Sequence, residues 1–208
     1  MKSTDQPLNG SSDAERRAHA HLAQGVAASR LGDAATALGC FWAAAEELPS
    51  WGLPHFLIGS ELAAAQRYPE AEAALARAVL QSPEMHIARY QLGLLQFSSN
   101  KPAVALVTWE PLRGLGDANP LACFVEGYAA LACDDLSQAK ALFQRGLAQE
   151  LDNDALRSDV EKVLAVLEGL TSAGGSGELD ARSQADRQGD QPLDHGTFLL
   201  GGYGRYVQ

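Results

Sequence analysis

The sequence has little positive charge, few cysteines, no long apolar run and none of the short motifs that carry catalysis. Its 208 residues hold 16 Lys and Arg against 26 Asp and Glu, a formal charge of −10 with an isoelectric point near 4.9. Nucleic acids and anionic membrane surfaces are bound through basic patches, and no basic run occurs, so neither is an expected partner. No uncharged apolar stretch reaches the 18 or so residues that would cross a bilayer. The opening "MKSTDQPLNGSSDAERR" has no apolar core of a signal peptide, so the expected address is cytoplasmic. Cys40, Cys123 and Cys133 are odd in number and widely spaced, which suits small buried apolar residues better than a disulfide frame or a zinc site.

Catalytic and metal-binding patterns are missing as well. No metalloprotease, zinc-ribbon, nucleophile-elbow or phosphate-loop motif occurs. His19 and His21 are two apart on an expected helix and point to different faces, so they cannot pinch one metal ion. The acidic pairs Glu46–Glu47 and Asp134–Asp135 sit near helix ends, where caps and solvated faces account for them. The glycines of "AGGSG" at 173–177 follow a helix where a phosphate cradle would precede one. The expectation is a protein that is not an enzyme and carries no cofactor and no metal.

What the sequence does have is a period. Gly25, Gly59, Gly93 and Gly127 recur every 34 residues, and Ala37, Ala71, Ala105 and Ala139 keep the same interval. Sixteen residues after each glycine stands a large apolar residue: Phe41, Leu75, Trp109 and Phe143. Pro49 and Pro83 close the first two copies, and the later copies have Asp117 and Leu151 there. Glycine inside a helix costs about 1 kcal/mol relative to alanine, so its fourfold recurrence asks for a packing reason: close approach of two helices. Turn signals separate the helices of each copy: "LGD" at 31–33, "RYP" at 67–69, "SNKP" at 99–102 and "CDD" at 133–135.

These columns resemble the tetratricopeptide repeat (TPR) family, whose 34-residue unit is a pair of antiparallel helices. The resemblance covers 136 of 208 residues, as repeats 18–51, 52–85, 86–119 and 120–153. It implies an all-α fold, a right-handed α-solenoid of four TPR helix pairs. Asp154 is the expected cap of a further helix over 154–170, with Leu156, Val160, Val163, Leu164, Leu167 and Leu170 on one face and charge on the other. Such a helix is what the last repeat of a solenoid needs as a cover. Residues 1–17 read as a disordered N-terminal tail, and 171–192 as a flexible linker rich in Gly, Ser and Asp.

The first helix of each TPR pair lines a concave surface, and the resemblance implies that positions 2, 5, 9 and 12 of each unit project into it. Here these are His19, Leu22, Val26 and Ser29; Leu53, Phe56, Ser60 and Ala63; Ile87, Tyr90, Leu94 and Phe97; Leu121, Phe124, Tyr128 and Leu131. None is basic or Asn, so the clamp by which some TPR domains hold a chaperone's terminal carboxylate is not expected. The candidate peptide-binding residues are Leu22, Val26, Phe56, Tyr90, Leu94, Phe97, Phe124 and Tyr128. Helical spacing alone leaves open that some of these aromatics are ordinary packing between helices. The helix "HIARYQLGLLQF" is apolar around nearly its whole circumference and is expected to be covered on all sides.

The expected function is a non-enzymatic scaffold that binds a protein partner with an apolar segment in this groove. The chain is also similar, in a general way, to the small acidic TPR chaperones of bacterial type III secretion, although those usually have three repeats and no such ending. A structural protein that self-associates through its tail is the alternative from another class. That tail, residues 193–208, carries Phe198, Leu199, Leu200, Tyr203 and Tyr206 in the stretch "HGTFLLGGYGRY". Burying these five contributes on the order of 10 kcal/mol, nearly offset by about 1–2 kcal/mol for each of a dozen backbone residues ordered. Docking of the tail, within the chain or between chains, is therefore expected to be conditional.

Overall fold

The structure is a computed structural model that describes residues 9–173. The linker beyond residue 173, the C-terminal peptide with Phe198, Leu199, Leu200, Tyr203 and Tyr206, and the Leu170 side chain lie outside the described residues. Among the described residues all regular structure is helical: α1 (Asn9–Arg30), α2 (Ala34–Glu47), α3 (Gly52–Ala64), α4 (Tyr68–Gln81), α5 (His86–Ser98), α6 (Pro102–Arg113), α7 (Pro120–Ala132), α8 (Leu136–Leu147) and α9 (Asp154–Ala173). No helix among them is long and apolar enough to cross a membrane. The chain divides into two compact units, with the boundary between Arg89 and Tyr90, inside α5.

In the first unit α1 packs on α2, α3 on α4, and α2 on α3. Each pair closes where the glycine column predicts. A Cβ built on Gly25 would lie 2.5 Å from Phe41 Cε1, and one on Gly59 would lie 2.7 Å from Leu75 Cγ. Ala37 and Ala71 are fully buried. The turns that reverse the chain are built alike. Gly32 and Gln66 are left-handed (φ 77° and 60°). Asp33 N–H reaches back to Ala28 O (3.0 Å) and Gly32 N–H to Ser29 O (2.9 Å). In the next turn Arg67 N–H reaches Leu62 O (2.8 Å) and Gln66 N–H reaches Ala63 O (2.9 Å). This double bond satisfies the last carbonyls of a helix that ends on a left-handed residue. Asp33 then caps α2 by accepting from Thr36 N–H (3.0 Å), and Pro69 stands in the first turn of α4, where no amide proton is needed.

The second unit repeats the plan. Gly93 faces the Trp109 indole so closely that a Cβ would overlap the ring, and a Cβ on Gly127 would lie 2.9 Å from Phe143 Cε1. Ala105 and Ala139 are fully buried. Asn100 and Asp134 take the left-handed place (φ 60° and 59°), 34 and 68 residues after Gln66. Asn119 caps α7 through Leu121 N–H (2.9 Å), and Asp135 caps α8 through Gln138 N–H (2.9 Å). Helix α6 packs on α7, α7 on α8, and α8 on α9. Leu156, Val160, Leu164 and Leu167 of α9 are buried.

Four expectations need correction. The segment read as a disordered tail over 1–17 is helical from Asn9, and the fork from Arg17 to Glu47 (2.8 Å for both contacts) ties this added length of α1 to the end of α2. The cap of α9 is Asn153, which accepts from Leu156 N–H (3.0 Å), so Asp154 is the first helical residue. That helix runs to Ala173, three residues past the expected end and into the segment read as linker. Of the cysteines only Cys123 is buried. Cys40 is half-buried, and Cys133 is exposed because it is the C-cap of α7, at the edge of a turn.

Candidate interaction surface

In the second unit the expected groove residues converge, but into a core. Tyr90 stacks on Trp109 (ring centroids 6.2 Å apart) and tilts against Phe124 (6.4 Å). Tyr128 lies 5.3 Å from Trp109, 5.0 Å from Phe143 and 5.2 Å from Phe97. Phe97 lies 6.0 Å from Trp109, and Phe124 lies 6.4 Å from Phe143. Trp109 occupies the space that Gly93 leaves, and its Nε1–H donates to Tyr90 O (2.9 Å), so the indole is buried with its one polar atom satisfied. Offset and tilted rings at such separations contribute about 0.5–1.5 kcal/mol per pair beyond their area.

Polar groups are set into this core. Burial raises the Tyr90 and Tyr128 phenols well above their ordinary values, with the negative charge of Asp159 adding to the shift. Asp159, on α9, is buried; burial raises its carboxyl above the usual range, and Lys162 Nζ at 3.0 Å from Oδ1 opposes that shift. Its Oδ2 has no hydrogen-bond partner among the described residues. On the solvent side Arg113 bridges α6 to α7 through Glu126 (2.6 Å) and also holds Glu110 (3.1 Å).

In the first unit the feature that stands out is α3. Twelve of its thirteen residues, Gly52 to Ala63, are buried. Gly52 N–H donates to Ser82 Oγ (3.1 Å), and a Cβ on Gly52 would meet Ala78 O at 2.6 Å, so only glycine fits there against α4. His55 meets the edge of Trp42 (5.8 Å), and its pKa is lowered by burial and then by the charge of Arg77. Glu61 accepts a hydrogen bond from Ser29 Oγ of α1. Among the described residues no group of three His, Cys, Asp or Glu side chains could hold a metal ion.

Set against the sequence, Leu22, Val26, Phe56, Tyr90, Phe124 and Tyr128 are buried, whereas Leu94 and Phe97 are half-buried. Tyr90, Phe124 and Tyr128 belong to the packing between helices, which is the other reading their spacing allowed. The helix covered on nearly every side is α3, not α5, whose Arg89, Leu94 and Phe97 keep partial exposure. Three close-packing or buried polar positions gave no periodic signal. Gly52 and Gly146, the second against Phe124 of α7, have no partner glycine 34 residues away, and Asp159 reads in sequence as part of the charged face of α9.

No family model matches the sequence, and no curated protein is matched by it. Solved structures are matched. A crystal structure of MamA is similar at 19% identity with a TM-score of 0.53, over 65% of this chain and 80% of that one. MamA from residue 41 to its end, from Desulfovibrio magneticus RS-1, is similar at 14% identity with a TM-score of 0.52, over 81% of this chain and 98% of that one. A MamA RS-1 ArsTM double mutant is similar at 15% identity with a TM-score of 0.51, over 79% and 98%. At these identities the likeness is one of fold, and it supports a TPR-type, all-helical chain of consecutive helix pairs.

Proposed function

We propose that this protein is a non-enzymatic interaction scaffold that holds an apolar segment of a partner protein against the first helices of its pairs. The observation that carries the reading is the state of α5: Leu94 and Phe97, about one turn apart, stay half-buried directly beside a fully packed aromatic core. A firm floor with uncharged apolar side chains above it suits an apolar helix or strand, because such anchors lose little side-chain freedom on binding. The buried titratable groups with perturbed pKa values, His55, Tyr90, Tyr128 and Asp159, owe their shifts first to burial in the packing, so those shifts are accounted for without catalysis. The MamA fold likeness is compatible with a scaffold, since stacked helix pairs offer extended faces for binding.

The reading is tested by affinity capture with the full chain and with Leu94→Ser/Phe97→Ser. A specific partner held by the first and lost from the second, with equal helix content, is the expected result. A partner set retained in full by the variant contradicts the reading.

A further inference from the structure

Helix α9 carries one charged side chain where its pattern calls for an apolar one. Leu156, Val160, Leu164 and Leu167 recur at helical spacing and are buried on one face. Asp159 lies within that face and is 4% exposed, whereas Asp154, Glu161 and Glu168 of the same helix are exposed. Lys162 Nζ lies 3.0 Å from Asp159 Oδ1, and Oδ2 is buried with no hydrogen-bond partner among the described residues. The Lys162 side chain is 49% exposed, so water screens the charge that would compensate the carboxylate. The titratable groups that other helices bring into the field of Asp159 are Tyr90 of α5 and Tyr128 of α7, whose phenols burial keeps neutral. From α8 the cation turned toward α9 is Lys140, held by Glu168 (3.2 Å) more than two turns further along. Arg157, at the start of α9, donates to Leu147 O of α8 (3.0 Å).

We propose that Asp159 makes α9 a pH-dependent closure on α8: with its carboxyl neutral α9 stays docked, and with it ionised α9 opens locally while the preceding helix pairs stay folded. The ionised carboxylate is the costlier form in this setting, because Oδ2 has lost its water without gaining a hydrogen bond and its counter-charge is screened. Undocking returns that oxygen to water. Position makes the response local. Helix α9 follows the last helix pair and packs on α8, whereas α7 packs on both α6 and α8. In a stack whose elements touch only their neighbours, a terminal helix opens at smaller cost than the whole. Burial raises the Asp159 carboxyl above its ordinary range, so the docked state holds the proton more tightly than the open one. The docked population is therefore greatest in acid, falls as pH rises through the raised value and levels off above it. Opening uncovers Leu156, Val160, Leu164 and Leu167 and the α8 surface beneath them, so this apolar face is exposed more often as pH rises.

Hydrogen exchange read by mass spectrometry on the full chain between about pH 4 and pH 8 tests this, with each peptide corrected for the intrinsic pH dependence of exchange. Protection of 154–169 is expected to fall several-fold across that range, while 68–81 and 102–113 keep theirs. In Asp159→Asn the same peptides should show no fall. Lys162→Gln keeps the carboxyl and removes its counter-charge, so the fall should persist and extend to higher pH. Protection of 154–169 that does not change with pH in the parent protein overturns the proposal, as does protection that rises with pH. A fall that survives in Asp159→Asn, or that does not extend to higher pH in Lys162→Gln, also overturns it, because another group is then titrating. A fall shared equally by 68–81 and 102–113 overturns it as well, since it marks unfolding of whole units in place of release of α9.

Discussion

Replacing Gly93 by alanine tests the packing logic of the repeat most sharply. The added methyl would overlap the Trp109 ring at Nε1, Cε2 and Cδ1, and the indole has no free volume to enter because Tyr90, Phe97 and Tyr128 surround it. Overpacking of this kind costs about 1–3 kcal/mol. A displaced indole also strains or loses its bond to Tyr90 O, and an unsatisfied buried donor costs about 1–3 kcal/mol more. Alanine returns about 1 kcal/mol of helix propensity. The net expectation is a loss of about 3 kcal/mol, or roughly 6–12 °C in melting temperature for a chain of this size. Gly39 is the control: it lies inside α2, is exposed, and a Cβ there meets nothing within 4 Å. Gly39→Ala should keep the propensity gain and raise the melting temperature by about 2–4 °C. Thermal unfolding followed by far-ultraviolet circular dichroism reads both. A Gly93→Ala protein as stable as Gly39→Ala would refute the claim that the glycine column exists for close packing.

Two further perturbations follow from the turn and from the cap helix. Gln66→Gly relieves a left-handed non-glycine residue at about 1–2 kcal/mol and gives back part of that in unfolded-chain entropy, so urea unfolding should show a gain of about 0.5–1 kcal/mol. Asp159 has a raised pKa in the folded protein, so the stability tied to its neutral form is fully present below about pH 4 and is lost as pH rises through the folded value. Lys162 is its nearest positive charge, and the Tyr90 and Tyr128 hydroxyls are neutral throughout that range. Asp159→Asn should therefore melt higher than the parent protein at pH 7 and alike at pH 3; a lower melting temperature at pH 7 would show that the Lys162 pair outweighs the burial cost.

The helix pairs were legible because their packing requirement repeats. A glycine against a bulky residue sixteen positions on is a contact that two helices and a three-residue turn impose each time, so four copies expose it. Gln66 was not legible: it occupies the same left-handed place as Gly32, Asn100 and Asp134, but glutamine carries no turn signal, and the pattern "RYP" pointed one residue too late. Gly52 and Gly146 answer contacts made once, with Ser82 and with Phe124, and so leave no period. The candidate binding residues were legible only as a face. Spacing groups Tyr90, Leu94, Phe97, Phe124 and Tyr128 together, but whether such a face meets solvent, a partner or other helices depends on how the rings of α5, α6, α7 and α8 interlock. Trp109 decides it by filling the centre of that cluster.

The most direct measurement of the central claim, that first-helix faces of this protein take up an apolar segment, is a titration by fluorescence anisotropy. A labelled peptide of residues 193–208, an apolar segment with little charge, is added to the full-length protein and to its Leu94→Ser/Phe97→Ser variant. The account predicts saturable binding to the parent protein at about one peptide per chain, and binding at least about tenfold weaker to the variant. Anisotropy that never rises with the parent protein, or equal binding to both proteins, would contradict it.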